Sequence, residues 1–222
     1  RRRRAWQPSW SGRPGYARDG RAPAGYPSPV TGLEIHPATP DRWDDLERLF
    51  GPKGAYWNCW CTWWILPGKE WDGTAPAARR EILRGLVAEG AEPGLLAYLD
   101  GEPAGWCAVG PRARYARMMS PRSRTFKPLD QTPSWVINCF FIARTARRQG
   151  VARALLEAAV DYAFAHGAER IEAYPIDPAA TKPNATNLYV GSLRAFLDAG
   201  FTEVGRVGPR PVVALARPTG PG

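Results

Sequence analysis

Trp135 to Ile142 is an almost unbroken apolar run of aromatic and branched side chains, and an amphipathic helix begins soon after it ends. A strand with no polar side must be covered on both faces, which places it centrally in a sheet with helices packed against it. The helix that follows shows the matching pattern. Val151, Ala154, Leu155, Ala158, Ala159 and Tyr162 fall on one stripe at i, i+3, i+4, i+7, i+8 and i+11, with Arg153, Glu157 and Asp161 off it. Gly167 supplies the stop.

The rest of the chain falls into place around this pair. Leu33 to His36 reads as a strand, and Thr39-Pro40 opens a helix carrying Trp43, Leu46, Leu49 and Phe50 at helical spacing. Thr74-Ala75-Pro76 opens a second helix, running to about Glu89. Leu95 to Leu99 and Gly105 to Val109 flank Asp100-Gly101-Glu102-Pro103 as an antiparallel hairpin. Arg170 to Ile176 is a further strand, Leu188 to Ala199 a short helix closed by Gly200, and Phe201 to Val207 and Val212 to Ala216 the last two strands. The order β-α-α-β-β-β-α-β-α-β-β predicts a mixed α+β sheet.

Charge decides what partners to expect, and its distribution matters more than the total of +9 over 222 residues. Seven arginines against Asp19 alone put +6 in residues 1–30, and six basic residues against Asp130 put +5 in residues 111–130, so the remainder is slightly acidic. Residues 1–32 mix Arg, Pro, Gly and Ser without periodicity, and are expected to form a flexible tail that precedes one domain over 33–217, with a short tail at 218–222. Deleting residues 1–30 is expected to leave the domain's binding nearly unchanged. Segment 111–130 has no clear period and reads as a long basic loop; with only Tyr115 and Phe126 as aromatics, it does not support specific nucleic-acid readout. No uncharged apolar run approaches the roughly 18 residues a bilayer span needs. The chain's start has charge but no apolar stretch, unlike a signal peptide, and a cytoplasmic protein is expected. Four dispersed cysteines make no disulfide scaffold, no CxxC pair begins a zinc ribbon, and His36 and His166 are distant in sequence, so no metal is expected. Glycine-rich dinucleotide, P-loop and HExxH signatures are absent.

Between the central strand and its helix stands Arg144-Thr145-Ala146-Arg147-Arg148-Gln149-Gly150-Val151-Ala152. A strand that passes to a helix at a glycine leaves amide N–H groups unpaired at the positive end of the helix dipole. Such a terminus binds phosphate, and Arg147 and Arg148 reinforce it. The stretch from Phe140 to Leu156 resembles the acetyl-CoA-binding signature of the GNAT N-acyltransferase superfamily, whose core is Q/R-x-x-G-x-G/A. The element order and the closing Leu193 to Phe201 pattern, a helix ending in Gly-Phe, extend the resemblance over about residues 33–217. It implies a mostly antiparallel sheet of about seven strands with a splayed central pair and about four helices. It further implies that the backbone around Arg147, Arg148, Gln149, Gly150, Val151 and Ala152 holds the CoA pyrophosphate, while the strand edge at Phe140 and Ile142 pairs with the pantetheine arm.

By the same resemblance the chain is expected to acetylate a primary amine by direct attack in a ternary complex. That chemistry needs a proton acceptor for the amine, a donor for the tetrahedral oxyanion, plausible at the backbone N–H near Phe141 or Ile142, and an acid for the departing thiolate. The family's usual acid is a tyrosine five residues before the phenylalanine of the Gly-Phe pair, where this chain has Phe196. Tyr189 and Ser192 are the nearby substitutes, and Glu172, Asp177 and Asn138 are candidates for the base. Four of the ten tryptophans lie in Trp57 to Trp64, where Trp57, Trp60 and Trp63 form either a wall for an aromatic or cationic amine or a corner of the core. An Asn-Cys-Trp-Cys segment together with Tyr189 to Leu193 is similar to a bacterial subgroup of the family without a settled substrate. Acetyl-CoA and an amine are thus the expected partners, with no membrane and with a homodimer left open. A non-catalytic acyl-CoA-binding module and, on charge alone, a basic nucleic-acid-binding protein are the alternatives.

Overall fold

A computed structural model describes residues 30–120, 130, 132–182, 184 and 187–218. Seven strands form one sheet: β1 (Leu33–Pro37), β2 (Gly94–Leu99), β3 (Glu102–Pro111), β4 (Trp135–Ile142), β5 (Arg170–Ala173), β6 (Thr202–Val207) and β7 (Arg210–Ala216), in the order β1-β2-β3-β4-β5-β7-β6. β4 and β5 run parallel and every other pair antiparallel. The expected helices are α1 (Trp43–Phe50), α3 (Pro76–Ala88), α5 (Val151–Ala165) and α6 (Leu193–Asp198), joined by two short ones, α2 (Gly68–Gly73) and α4 (Ala116–Met119). Among the described residues no helix is long and apolar enough to cross a membrane.

Strand alternation sorts the core into two faces. Leu95, Ala97, Cys107 and Val109 point to the α5 side, while Leu96, Tyr98, Trp106 and Ala108 point to the side covered by α1 and α3. α5 is buried more completely than its stripe predicts. Glu157 lies at 3% exposure within it and accepts a hydrogen bond from Arg153 Nε at 2.9 Å, so an off-stripe acid is inside because a partner one turn earlier neutralises it.

Three boundaries differ from expectation. β5 stops at Ala173, and Ile176 makes only an isolated parallel bridge with Ser192. The helix expected over Leu188 to Ala199 is a single 3-10 turn (Leu188–Val190) and then α6, divided at Gly191 (φ 80°). The basic segment is not a free loop where it is described: β3 continues to Pro111, a 3-10 turn spans Arg112–Arg114, and α4 follows. Its arginines are structural. Arg112 is buried on Glu172, Arg114 donates to Ala91 O, and Arg117 donates to Trp63 O. Arg122, Arg124 and Lys127 lie outside the described residues, as do residues 1–29 and 219–222 of the expected tails.

Candidate active site

The central pair separates early. β4 and β5 are paired only at Trp135–Ile171, Val136–Glu172 and Ile137–Ala173, which leaves Asn138 to Ile142 with an edge that β5 does not cover. On its other side β4 pairs with β3, where the register skips from Val109–Ile137 to Ala108–Cys139 and Asn138 becomes a bulge. One extra residue reverses the phase of everything beyond it. Phe140 and Ile142 therefore face α5, whereas Cys139 and Phe141 turn to the opposite side. Asn138 is 2% exposed, and among the described residues neither its Oδ1 nor its Nδ2 has a hydrogen-bond partner. A carboxamide is not basic, so this residue can orient a ligand in the cleft but cannot take the amine's proton.

The uncovered edge leads directly to the turn before α5. Gly150 is its N-cap at φ 81°, and Arg148 also adopts a left-handed conformation at φ 62°. Around the turn the backbone hydrogen bonds run from Ala146 N to Ala143 O and from Ala154 N to Gly150 O, so the first amides of α5 have no intrahelical acceptor. Arg147, Arg148, Gln149, Gly150 and Ala152 are exposed, while Val151 is buried and anchors the turn to the core. Arg147 Nε reaches Ile142 O at 3.4 Å and Gln149 Nε2 reaches Thr145 O at 2.6 Å. Val30 lies over the turn: a Cβ built on Gly150 would meet its methyl at 2.9 Å.

On the other side of β4 lies a cavity of about 480 Å³. Tyr56, Trp57, Cys59, Cys61, Trp63 and Trp64 supply one wall; Trp71 and Asp72 of α2 stand beside them; Trp106, Cys139 and Phe141 form the sheet floor, closed by Phe50 and Tyr189. The three expected tryptophans divide. Trp57 is 72% exposed and Trp63 half-buried, and both line the cavity. Trp60 does not: at 5% exposure it stacks on Trp43 (6.4 Å) and tilts against Phe50 (5.8 Å), a core residue of the kind the alternative reading described. Ala55, Trp57, Asn58, Trp60 and Cys61 all have positive φ, a conformation costing roughly 1–2 kcal/mol per residue. Trp60 helps to fix it, because Gly54 (φ 53°) lies so close that a Cβ there would meet Trp60 Nε1 at 2.2 Å. Cys139, Phe141, Trp71 and Asp72 were not expected at the site. Only the bulge turns the first two toward it, and no periodicity in the sequence marks a bulge.

Thiols and phenols in this wall are tuned by burial and by each other. Trp106 Nε1 donates to Cys61 Sγ at 3.2 Å. Cys139 also donates to Cys61, which lowers the Cys61 thiol and raises its own. Burial first, and then the neighbouring Cys61, push Cys59 up to about 12. Among the described residues no group of His, Cys, Asp and Glu could hold a metal. Tyr189 is half-buried, 6.4 Å from the Trp64 ring, and burial pushes its phenol up to about 12. Ser192 is the N-cap of α6, its Oγ accepting from Ala195 N at 3.4 Å. Phe196 is wholly buried between Phe140 (6.3 Å) and Phe201 (5.1 Å). Glu172 and Asp177 are held by arginines, Glu172 by Arg112 and Arg170 and Asp177 by Arg206 at 2.7 Å, which lowers its carboxyl.

A model of the acetyltransferase (GNAT) family matches residues 57–191, more than half of the chain. The chain belongs to the GNAT family of acetyltransferases. Solved GNAT acetyltransferases share the fold at low identity. One from Streptococcus agalactiae (15% identical) and one from Listeria monocytogenes (13%) each align over 86% of this chain and 99% of their own, both with a TM-score of 0.52. A comparison with curated proteins finds no match. Membership of the GNAT family makes this an acetyl-CoA-dependent acyltransferase with a seven-stranded mixed sheet. The observed features fit that co-substrate: a strand edge that β5 leaves, a buried carboxamide without a partner among the described residues, and exposed residues at a left-handed glycine turn.

Proposed function

We propose that the chain transfers the acetyl group of acetyl-CoA to a primary amine by direct attack within a ternary complex. The observation that carries this reading is the early end of the β4–β5 pairing at Ile137–Ala173, which leaves a strand edge running from the buried Asn138 to the Gly150 turn. In this reading the amides from Arg148 to Ala152 receive the pyrophosphate, with Arg147, Arg148 and Gln149 around it. The backbone of β4 at Phe140 and Ile142 pairs with the pantetheine amides, and Asn138 hydrogen-bonds the part of the ligand that lies deepest. The amine nitrogen attacks the thioester carbonyl, an N–H near Phe141 or Ile142 stabilises the oxyanion, and the C–S bond then breaks.

Tyr189 is the group we assign to the departing thiolate. Its phenol, at about 12, lies well above a thiol's ordinary value of about 8.5. Full proton transfer to sulfur is therefore uphill, and Tyr189 acts by donating a hydrogen bond to the thiolate while keeping its proton. Ser192, already an N-cap acceptor, retains one hydroxyl proton and is the second candidate donor. Glu172 and Asp177 are engaged by arginines, so the amine's proton passes to solvent. Calorimetry with CoA tests the co-substrate site: wild type binds, and Arg147→Ala combined with Gly150→Asp abolishes binding while circular dichroism stays unchanged. Binding unaffected by that pair of substitutions would refute the assignment. Thiol release across an amine panel tests the transfer.

A further inference from the structure

The cavity bordering β4 is large for an acceptor amine and lined mainly by apolar and aromatic surface, its polar groups being the Tyr56 and Tyr189 hydroxyls, indole N–H groups and Asp72. Among the described residues its ionic lining group is Asp72, which is exposed, as is Trp57, so both stand toward the mouth. Cys139 and Phe141 belong to the same strand as the proposed thioester edge, so the sheet floor is the end at which the nitrogen must react. An aminosugar brought here would lose water from each of its hydroxyls and find fewer partners than it has hydroxyls, at a cost of about 1–3 kcal/mol for each group left unpaired. A polyamine would place further ammonium groups against thiols and indoles.

Two of the aromatic faces that could attract a cationic body already carry the protein's own arginines. The Arg79 guanidinium lies 3.5 Å from the centre of the Trp71 ring, and that of Arg117 lies 3.8 Å from the centre of Trp63. Trp63 and Trp71 meet edge to face at 4.8 Å. Rings so engaged have spent their attraction for a cation and still offer apolar surface and edge-to-face contacts to another ring.

We infer that the acceptor taken by this cavity is an arylalkylamine, a primary amine on a flat apolar body, whose ring lies among Trp57, Trp63 and Trp71 and whose nitrogen reaches the sheet floor at Cys139. Asp72 draws the ammonium to the mouth. The apolar wall beyond it favours loss of the proton on entry, which is the form that attacks. This inference rests on the acetyl-transfer reading above.

The test uses the full chain with acetyl-CoA and five probes: 2-phenylethylamine, tryptamine, 2-phenylethanol, spermidine and glucosamine. The two arylalkylamines should give kcat/KM at least about tenfold above spermidine and glucosamine, equivalent to about 1.4 kcal/mol. 2-Phenylethanol, which has no amine, should compete with 2-phenylethylamine and bind by calorimetry. Trp57→Ala removes a side chain that is 72% exposed, so the core is spared; it should raise KM for the arylalkylamines several-fold and leave CoA affinity alone. Preferred acetylation of spermidine or glucosamine, or no competition by 2-phenylethanol at millimolar concentration, overturns the inference. If 2-phenylethylamine binds but no amine releases thiol, the transfer reading fails and the ligand class stands.

Discussion

Arg112 and Glu172 form a salt bridge of 2.9 Å between side chains only 6% and 0% exposed, one immediately after β3 and the other paired with Val136, one residue before the last β4–β5 pair. Tyr174 closes the group, its hydroxyl accepting from Arg112 at 2.6 Å and donating to Glu172 at 3.1 Å, and Arg170 binds the second carboxylate oxygen at 3.0 Å. The network pins β5 at the point where the cleft opens. Glu172→Gln preserves shape but takes the buried carboxylate away from Arg112, while Arg170 keeps Asp130 at 2.7 Å, and should cost about 3–5 kcal/mol in urea unfolding. An unchanged midpoint would show that the fork is held by apolar packing alone.

Asn138 presents the opposite balance. Its carboxamide is buried with no partner on either atom among the described residues, a state that disfavours the free protein by roughly 1–3 kcal/mol. Asn138→Leu should therefore leave thermal stability equal or raised, while lowering kcat/KM for acetyl-CoA about 10- to 100-fold through the lost hydrogen bonds to the ligand. A variant that is both destabilised and fully active would assign Asn138 to the fold.

The two arginines at the Gly150 turn are exposed and without an acidic partner among the described residues, which suits a phosphate ligand. Neutralising Arg147 and Arg148 together should weaken CoA binding about 10- to 100-fold at low salt, and by less as ionic strength rises. Removal of residues 1–29 should change it little. The cut belongs before Val30, because Val30 packs over Gly150. A tail deletion that weakens CoA more than the double substitution would give the tail the phosphate-binding role.

Much of this arrangement was legible in the sequence because it rests on local periodicity and turn chemistry. The two-sided burial of β4 shows in its apolar run, the stripe of α5 in its spacing, and the strand-to-helix turn in Gly150. The cavity wall was half legible. Trp57 to Trp64 announces an aromatic cluster, yet nothing local distinguishes Trp60, which packs on Trp43, from Trp57, which faces solvent. That difference comes from a run of left-handed residues fixed by tertiary contacts. The arginines of 111–130 misled for a similar reason: Arg112 reads as solvated until Glu172, sixty residues away, is brought beside it.

Tyr189 can be tested through pH as well as by substitution. Tyr189→Phe should lower kcat about 10- to 100-fold with little change in CoA affinity, the worth of a hydrogen bond to a charged atom. In the wild type, activity should rise with pH as the amine loses its proton, and should not fall until the pH comes within about one unit of the phenol's value near 12, since Tyr189 keeps its proton below that. A decline centred on the ordinary tyrosine value of 10.0 would assign the donor elsewhere. Stability must be followed in parallel. Burial also raises the phenols of Tyr174, Tyr98, Tyr115 and Tyr162, and a group raised by folding stabilises below its unfolded value and loses that contribution as pH climbs toward the folded one. Unfolding free energy should therefore decline above about pH 10, the unfolded tyrosine value, even where the catalytic donor is intact. The two effects separate by rate: a protonation loss is reversed at once on returning to neutral pH, whereas recovery from unfolding follows the refolding kinetics.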